Sequence, residues 1–191
     1  VYGDGSRHKY TPIGGGQFTP PNGICHTLVQ DTDDSTYTVT WKNQIQYHFS
    51  AFGQLTSISD RNGNSVTFSY SGDNLSRVTD AFGRYIELSY ATFGGIERII
   101  QVQAKDSADT ALKPPVTYSY DTTGYGNLVS ATDARSNTRR YAYAPDHDDK
   151  HLLTQITDAR SNPEIRNFYG DPGGTESNSG FFVVRQRDAD N

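Results

Sequence analysis

A tyrosine-containing unit recurs in the middle of this chain with a constant spacing of 20 residues. Leu55, Ile58, Asp60, Gly63, Val66, Phe68 and Tyr70 are each followed, 20 residues later, by Leu75, Val78, Asp80, Gly83, Ile86, Leu88 and Tyr90. A fixed period of this length indicates one supersecondary unit that is copied and stacked along the chain. Such a chain is more often a surface or a wall than a catalytic site, so the repeat constrains both fold and function.

Further copies follow the two regular ones at wider spacing. A third, a fourth and a fifth copy occupy residues 96–120, 128–143 and 153–168. The third copy contains an insertion at residues 104–115. The sequence TDARSN at Thr132–Asn137 recurs unchanged at Thr157–Asn162. The turns of the later copies therefore share one design, and the variation in spacing falls in the loops.

Within one unit the pattern predicts a β-hairpin. Val66, Phe68 and Tyr70 alternate with polar residues, which is the period of a strand with one apolar face. The segment Asp60–Asn64 supplies the turn. The aspartate side chain binds nearby backbone N–H groups, and Gly63 takes the positive φ that tightens the bend.

Two details of the unit predict irregular backbone. Leu55 and Ile58 are three positions apart rather than two. This spacing predicts either a β-bulge or a leucine that packs back from the preceding turn. In the later turns a serine, Ser136 or Ser161, replaces the glycine, and we expect the adjacent Asn137 and Asn162 to take the left-handed conformation there.

The composition agrees with an all-β fold. The 191 residues include 13 Tyr, 9 Phe and no Met, and no stretch has a helical period over three turns. The 18 Gly and 8 Pro suit many short strands that are joined by tight turns. We expect one continuous domain over residues 1–191, with lead-in strands in 1–44 and about five hairpin repeats in 45–191, the last of them truncated.

Charge and hydropathy exclude two classes of partner. The net charge is −5 and the chain has no Lys/Arg run, so a nucleic-acid-binding surface is not expected. No apolar stretch approaches the roughly 18 residues that a spanning helix needs.

The repeat motif resembles the YD-repeat, or Rhs-repeat, family. The matching positions are Tyr47, Phe49, Gly53, Leu55, Ile58, Asp60, Gly63, Asn64, Phe68 and Tyr70. Members of this family include bacterial Rhs polymorphic toxins, the shell component of insecticidal toxin complexes, and the animal teneurins. The resemblance implies long arrays of hairpins that spiral into a hollow shell around a toxic C-terminal domain or form a large extracellular barrel. It also implies a secreted or cell-surface bacterial protein.

The last residues resemble the beginning of a sixth unit, because Val183 and Asp188 fall at the positions of Leu55 and Asp60. We therefore expect a segment of a longer array. Its tandem β-hairpins should form an open, curved and twisted antiparallel sheet, because a small number of hairpins cannot close a wide barrel. The expected partners are the remaining repeats of a longer chain and an enclosed effector domain. Unpaired edge strands also favour an edge-to-edge dimer.

The repeated positions are interpreted as structural. They are Asp60, Gly63, Tyr70, Asp80, Gly83, Tyr90, Tyr120, Asp133, Tyr143 and Asp158. The aspartates would satisfy backbone donors at each bend, and the tyrosines would form a cross-strand aromatic ladder. Val66, Phe68, Ile86 and Leu88 are expected to be buried in one continuous inner layer.

Aromatic residues also favour a second hypothesis, a carbohydrate-binding or adhesion surface. Its candidate ligand residues are Trp41, Tyr47, Tyr118 and Tyr141. A third hypothesis, a glycoside hydrolase, requires two carboxyl groups about 5 to 9 Å apart in one cleft. No spacing in the sequence points to such a pair, so we predict no catalytic residue and no cofactor.

One loop is a weak candidate for a metal site. Asp146, His147, Asp148 and His151 gather carboxylates and imidazoles. Lys150 lies among them and the spacing fits no ligand motif, which favours a solvated turn. The single cysteine, Cys25, has an apolar neighbour and is interpreted as a small buried hydrophobic residue.

Overall fold

Sixteen antiparallel β-strands form one open sheet, and their order in the sheet is their order in the chain. The computed structural model describes residues 7–122, 126–144, 151–170 and 182–188. The strands are β1 (Thr11–Gly14), β2 (Gln17–Thr19), β3 (Thr27–Gln30), β4 (Tyr37–Thr40), β5 (Gln46–Phe49), β6 (Leu55–Ser59), β7 (Ser65–Ser71), β8 (Asn74–Thr79), β9 (Tyr85–Phe93), β10 (Ile96–Lys105), β11 (Val116–Tyr120), β12 (Leu128–Thr132), β13 (Thr138–Tyr143), β14 (Leu153–Thr157), β15 (Pro163–Gly170) and β16 (Phe182–Asp188). The predicted all-β architecture is confirmed, and the curvature and twist of the sheet remain predictions.

Two compact units divide the chain. The first consists of residues 1–86 and 106–109, and the second of residues 87–105 and 110–191. The predicted division into lead-in strands and repeats, within one continuous domain, stays a prediction. No helix long and apolar enough to cross a membrane occurs among the described residues.

A five-residue turn recurs at the end of the hairpins. In the first regular copy the Asp60 amide donates to the Asn64 carbonyl (2.9 Å), and the Gly63 amide donates to the Asp60 carbonyl (3.1 Å). Gly63 has a φ of 87°, as expected of the left-handed residue that ends a three-residue hairpin loop. The same pair of backbone bonds recurs in the turns that begin at Trp41, Ser50, Asp80, Asp133 and Asp158.

The three-residue spacing of the repeat produces a bulge. His48 pairs with Ser57, but the next residue, Phe49, pairs with Leu55, so Thr56 is the extra residue. The Thr56 hydroxyl donates back to the His48 carbonyl at 3.1 Å. Equivalent register shifts precede Tyr70, Tyr120, Tyr143 and Tyr169. The predicted bulge is thus a constant part of the unit, and bulges locally increase strand twist.

Neither unit has a closed hydrophobic core within the described residues, because no large side chain there is fully buried. Apolar residues instead pair across strands. In the first unit one row of paired residues runs through Phe18, Leu28, Val39, Tyr47, Ile58 and Val66. Such cross-strand pairs contribute roughly 0.2–1 kcal/mol each, so stability is distributed along the sheet.

The prediction that Ile86 is buried in an inner layer is wrong, because its side chain is 44% exposed. Val66, Phe68 and Leu88 are half-buried. The described residues form a single sheet without helices, which offers these side chains lateral neighbours but no second layer. Cys25 is exposed and not buried, because it lies in the irregular segment between β2 and β3.

The insertion in the third copy is an ordered loop. In the second unit the buried Gln103 amide donates to the carbonyls of Ala104 (2.9 Å) and Lys113 (2.8 Å). In the first unit Tyr85, which is buried, donates its hydroxyl to the Asp109 carboxylate. The insertion therefore makes specific contacts within each unit.

Substitution of Gly63 by valine tests the turn. A Cβ at this position would meet no atom within 4 Å, so the cost is conformational rather than steric. We expect Gly63→Val to lower the free energy of unfolding by about 1–3 kcal/mol in urea denaturation, because a β-branched residue resists positive φ. Gly63→Asn is the control and should cost less, since Asn tolerates the left-handed region. Equal stability of wild type and Gly63→Val would contradict the turn geometry.

Candidate functional site

The carboxylate of Asp60 organises its turn through three hydrogen bonds. Its Oδ1 accepts from the amides of Asn62 (2.8 Å) and Asn64 (2.9 Å), and its Oδ2 accepts from Asn64 Nδ2 (2.8 Å). One side chain thus holds two backbone N–H groups that the strand ladder does not pair. The hydrogen-bonding potential of the bend is met locally, without help from a second layer.

Three further aspartates hold their turns in the same way. Oδ1 of Asp80, Asp133 and Asp158 accepts from the amides two and four residues later, at 2.7–2.9 Å. Asn137 and Asn162 repeat the side-chain bond of Asn64. In the second copy Arg84 replaces the asparagine, and its guanidinium binds Asp80 Oδ2 through Nε at 2.8 Å and Nη2 at 2.7 Å.

These hydrogen bonds stabilise the ionised form of each carboxyl. Donation from Asn64 is the main cause that lowers the pKa of Asp60, and Asn137 and the Asn162 amide do the same for Asp133 and Asp158. For Asp80, partial desolvation raises the pKa, but hydrogen bonds from Arg84 and the Phe82 amide outweigh it, so the pKa is lowered. All four are carboxylates at neutral pH.

The expectation for the serine-containing turns is wrong. Ser136 and Ser161 themselves take positive φ, 66° and 70°, whereas Asn137 and Asn162 do not. The asparagine position is fixed because its side chain donates to Oδ2 of the turn aspartate. The left-handed residue therefore stays at the glycine position of the repeat, and serine accepts the strain there.

The repeat tyrosines donate their hydroxyls to backbone carbonyls. Tyr70 donates to the Leu55 carbonyl (2.9 Å), Tyr143 to Leu128 (3.1 Å) and Tyr169 to Leu153 (2.7 Å). In each case the acceptor leucine lies next to the extra residue of a bulge. Tyr120 makes the same kind of bond to the Ile99 carbonyl (2.9 Å). The sequence predicted an aromatic ladder, but the hydrogen bonds of the tyrosine hydroxyls were not predicted.

Burial raises the pKa of the phenols at Tyr120 and Tyr143. Burial also raises the pKa of Tyr90, with the nearby Glu97 carboxylate as a second cause. These hydroxyls stay protonated and able to donate throughout the physiological range.

The four candidate ligand residues lie in two different environments. Trp41 has one ring face covered by the His26 imidazole, at 4.0 Å between centroids, and Tyr47 lies against Trp41 at 5.9 Å. In the second unit Tyr118 and Tyr141 line one open cleft together with Asp133 and Asp158. Both pairs are therefore brought together, but Tyr118 and Tyr141 share an open cleft, whereas one face of Trp41 is already covered by His26.

Most of the candidate metal loop lies outside the described residues, including Asp146, His147 and Asp148. His151 is described, and its Nδ1 is hydrogen-bonded to Asn127 Oδ1. In the described part of the chain, no group of three or more His, Cys, Asp or Glu side chains is placed to hold a metal ion.

Comparison with known families identifies one segment directly. Residues 49–85 match the family model RHS Repeat. This segment is similar to an Rhs repeat. The match covers β6 to β8 and includes the turn aspartates Asp60 and Asp80, the tyrosine Tyr70 and two bulges. No curated protein matches the chain.

Two solved structures of toxin complexes are similar to the chain at low identity. One is the crystal structure of TcdB2-TccC3-Cdc42, with 17% identity and a TM-score of 0.47 over 81% of this chain and 9% of that chain. The other is the Photorhabdus luminescens Tc holotoxin pore with a TccC3 mutation, with 16% identity and a TM-score of 0.40 over 76% of this chain and 10% of that chain. The chain spans about a tenth of the length of each.

The turn carboxylates of the hairpin repeats should make stability depend on pH. Their pKa values are lowered from the ordinary 3.8, so their contribution is present above pH 3.8 and is lost as the pH falls through the lower folded pKa. The double variant Asp133→Asn, Asp158→Asn should be less stable at pH 7. Its melting temperature should also fall less steeply than that of wild type between pH 5 and pH 2.

The matched control is Asp73→Asn, in the two-residue turn between β7 and β8, which lacks the five-residue turn of Asp60. It should keep the wild-type pH profile. Parallel pH profiles for wild type and the double variant would show that the turn carboxylates are not linked to folding.

Removal of one tyrosine hydroxyl tests the bond at the bulge. Tyr143→Phe leaves the Leu128 carbonyl without its donor, and we expect a loss of about 0.5–1.5 kcal/mol in the free energy of unfolding. The control is Tyr118→Phe, because the Tyr118 hydroxyl makes no hydrogen bond within the described residues. Melting of both variants at the wild-type temperature would show that the Tyr143 hydroxyl does not stabilise the bulge.

Proposed function

We propose that this chain is a non-catalytic wall segment of a secreted or surface-exposed bacterial protein in which Rhs repeats enclose a toxic or effector domain. The observation that carries the proposal is a 16-stranded sheet, ordered as the chain, whose described residues include no fully buried large side chain. A chain of 191 residues that folds alone would ordinarily bury a core. The exposed and half-buried apolar residues are the kind of surface that another part of an assembly covers.

The proposed mechanism is geometric. A regular hairpin repeat satisfies its own bend through an aspartate and its own bulge through a tyrosine, and each strand pairs only with its neighbours in the chain. Repeat proteins of this kind can be lengthened by adding units without new chemistry. The area of the wall is then set by the number of hairpin repeats. An enclosed domain is retained because the wall surrounds it, and no specific binding site is needed.

The electrostatics of the second unit support a non-catalytic function. Asp133 and Asp158 line the same cleft, and a glycoside hydrolase would need two carboxyl groups in one cleft. A glycosidase also needs one carboxyl group with a raised pKa that stays protonated as the general acid. Hydrogen bonds lower the pKa of both aspartates, so neither is suited to that role.

Limited proteolysis of the whole natural gene product tests the enclosure. We expect the effector region to resist cleavage while the repeats stay folded, and to be cleaved at the urea concentration at which the repeats unfold. Gly63→Val should shift both transitions to lower urea together, because it weakens the wall and not the effector. The control is the effector region expressed alone. Because no wall encloses it, it should be cleaved even at urea concentrations at which the wall stays folded.

Cleavage of the effector region at the same urea concentration in wild type and Gly63→Val would contradict enclosure by this wall. Recovery of the effector in the medium, or on the cell surface, only when the repeats are present would support the secreted or surface location. Retention of the whole product inside the producing cells would contradict that part of the proposal.

A further inference from the structure

One repeat position in the second unit carries a much smaller side chain than its equivalents. Ala131 lies two residues before the turn aspartate, where the other copies have Ile58, Val78 and Ile156. The register pairs Ala131 with Tyr118 on one side and with Arg139 on the other. The shorter side chain leaves a gap in the row, and an open cleft of about 310 Å³ that Ala131 helps to line lies on this face.

Aromatic rings stand on both sides of the gap. Tyr118 is directly opposite Ala131, and Tyr141 lies two residues beyond Arg139 on the same face of β13. Both tyrosines line the cleft and both are half-buried. The volume is at the lower end of the range for small-molecule sites, and it is large enough for one sugar ring between phenol faces.

Donors and acceptors meet at the rim. Asp133 and Asp158 contribute carboxylates, whose turn hydrogen bonds hold them in place, and Asn137 contributes an amide. The guanidinium of Arg139 is fixed by two bonds to Glu164, from Nη2 to Oε1 and from Nε to Oε2, both of 2.8 Å. Arg139 occupies the repeat position of Val66 and Ile86, so the two regular copies lack this charge.

We propose that this cleft binds a neutral saccharide, with the sugar ring stacked on Tyr118 or Tyr141 and its hydroxyls bonded to Asp133, Asp158 and Arg139. Sugar hydroxyls both donate and accept, which matches a rim of carboxylates and a guanidinium. An anionic ligand would be repelled by the two carboxylates, since Glu164 already pairs with the Arg139 charge, whereas a neutral sugar meets no such repulsion. The inference does not depend on the proposed enclosure of an effector.

The cleft would bind without cleaving. Both carboxyl groups remain ionised at neutral pH because hydrogen bonds in their turns lower the pKa of each. A protonated carboxyl group, which must transfer a proton to the leaving oxygen of a glycoside, is therefore missing from this pair.

The test is saturable binding to an array of neutral glycans that end in glucose, galactose or N-acetylglucosamine, followed by titration calorimetry with the strongest binder. Ala131→Ile, which restores the residue of the other copies, should abolish binding while the protein stays folded by thermal melting. Tyr141→Ala should weaken binding about tenfold or more through loss of a stacking face. Tyr47→Ala, at the same repeat position but next to Ile58, is the matched control and should bind as wild type does.

Three results would overturn the proposal. The first is no saturable binding to any neutral glycan on the array. The second is binding that survives Ala131→Ile in a folded protein, which would place the sugar elsewhere. The third is binding of arginine methyl ester or lysine methyl ester in place of sugars, which would make a cationic peptide the occupant.

Discussion

The regular hairpin repeats of this chain depend on one carboxylate in each turn, that of Asp60, Asp80, Asp133 or Asp158. In each regular turn a single aspartate oxygen accepts from two backbone amides, and the second oxygen accepts from the side chain that ends the turn. A sheet with little buried volume cannot rely on a core to hold its bends. The turn must therefore be stable by its own hydrogen bonds, and charge-assisted bonds to an ionised acceptor are the stronger kind.

The tyrosine complements the aspartate at the other end of the strand. A bulge interrupts the ladder next to a leucine, and the tyrosine hydroxyl donates to that leucine carbonyl. The apolar ring adds to the cross-strand row while its hydroxyl satisfies the backbone. A regular hairpin repeat thus has one polar side chain that stabilises the turn and one that stabilises the bulge. The residues at the other strand positions are free to vary. The cleft at Ala131 shows such variation, because a shorter side chain and Arg139 change the surface without changing the register.

Much of the hairpin could be predicted from the sequence because its determinants are local. The 20-residue period, the Asp60–Gly63 turn and the Leu55–Ile58 bulge all depend on residues within one unit. The positive φ of Ser136 could not be predicted from residue preference alone, since a side-chain bond to Asp133 fixes Asn137 in place. The tyrosine bonds join residues about 15 positions apart across a bulge, and the exposure of Ile86 depends on the absence of a second layer. The cleft had a sequence signal, an alanine in an otherwise Ile or Val position, that becomes meaningful once the register is known.

Amide hydrogen exchange, followed residue by residue by NMR, tests most directly whether the aspartates hold the sheet together. The decisive groups are the amides that donate to Oδ1 four residues after each aspartate, in Asn64, Arg84, Asn137 and Asn162. The account predicts that they exchange as slowly as strand amides such as that of Thr67, because they open only when the hairpin opens. Exchange of these four amides as fast as that of Asp73, in a turn without the motif, would contradict it.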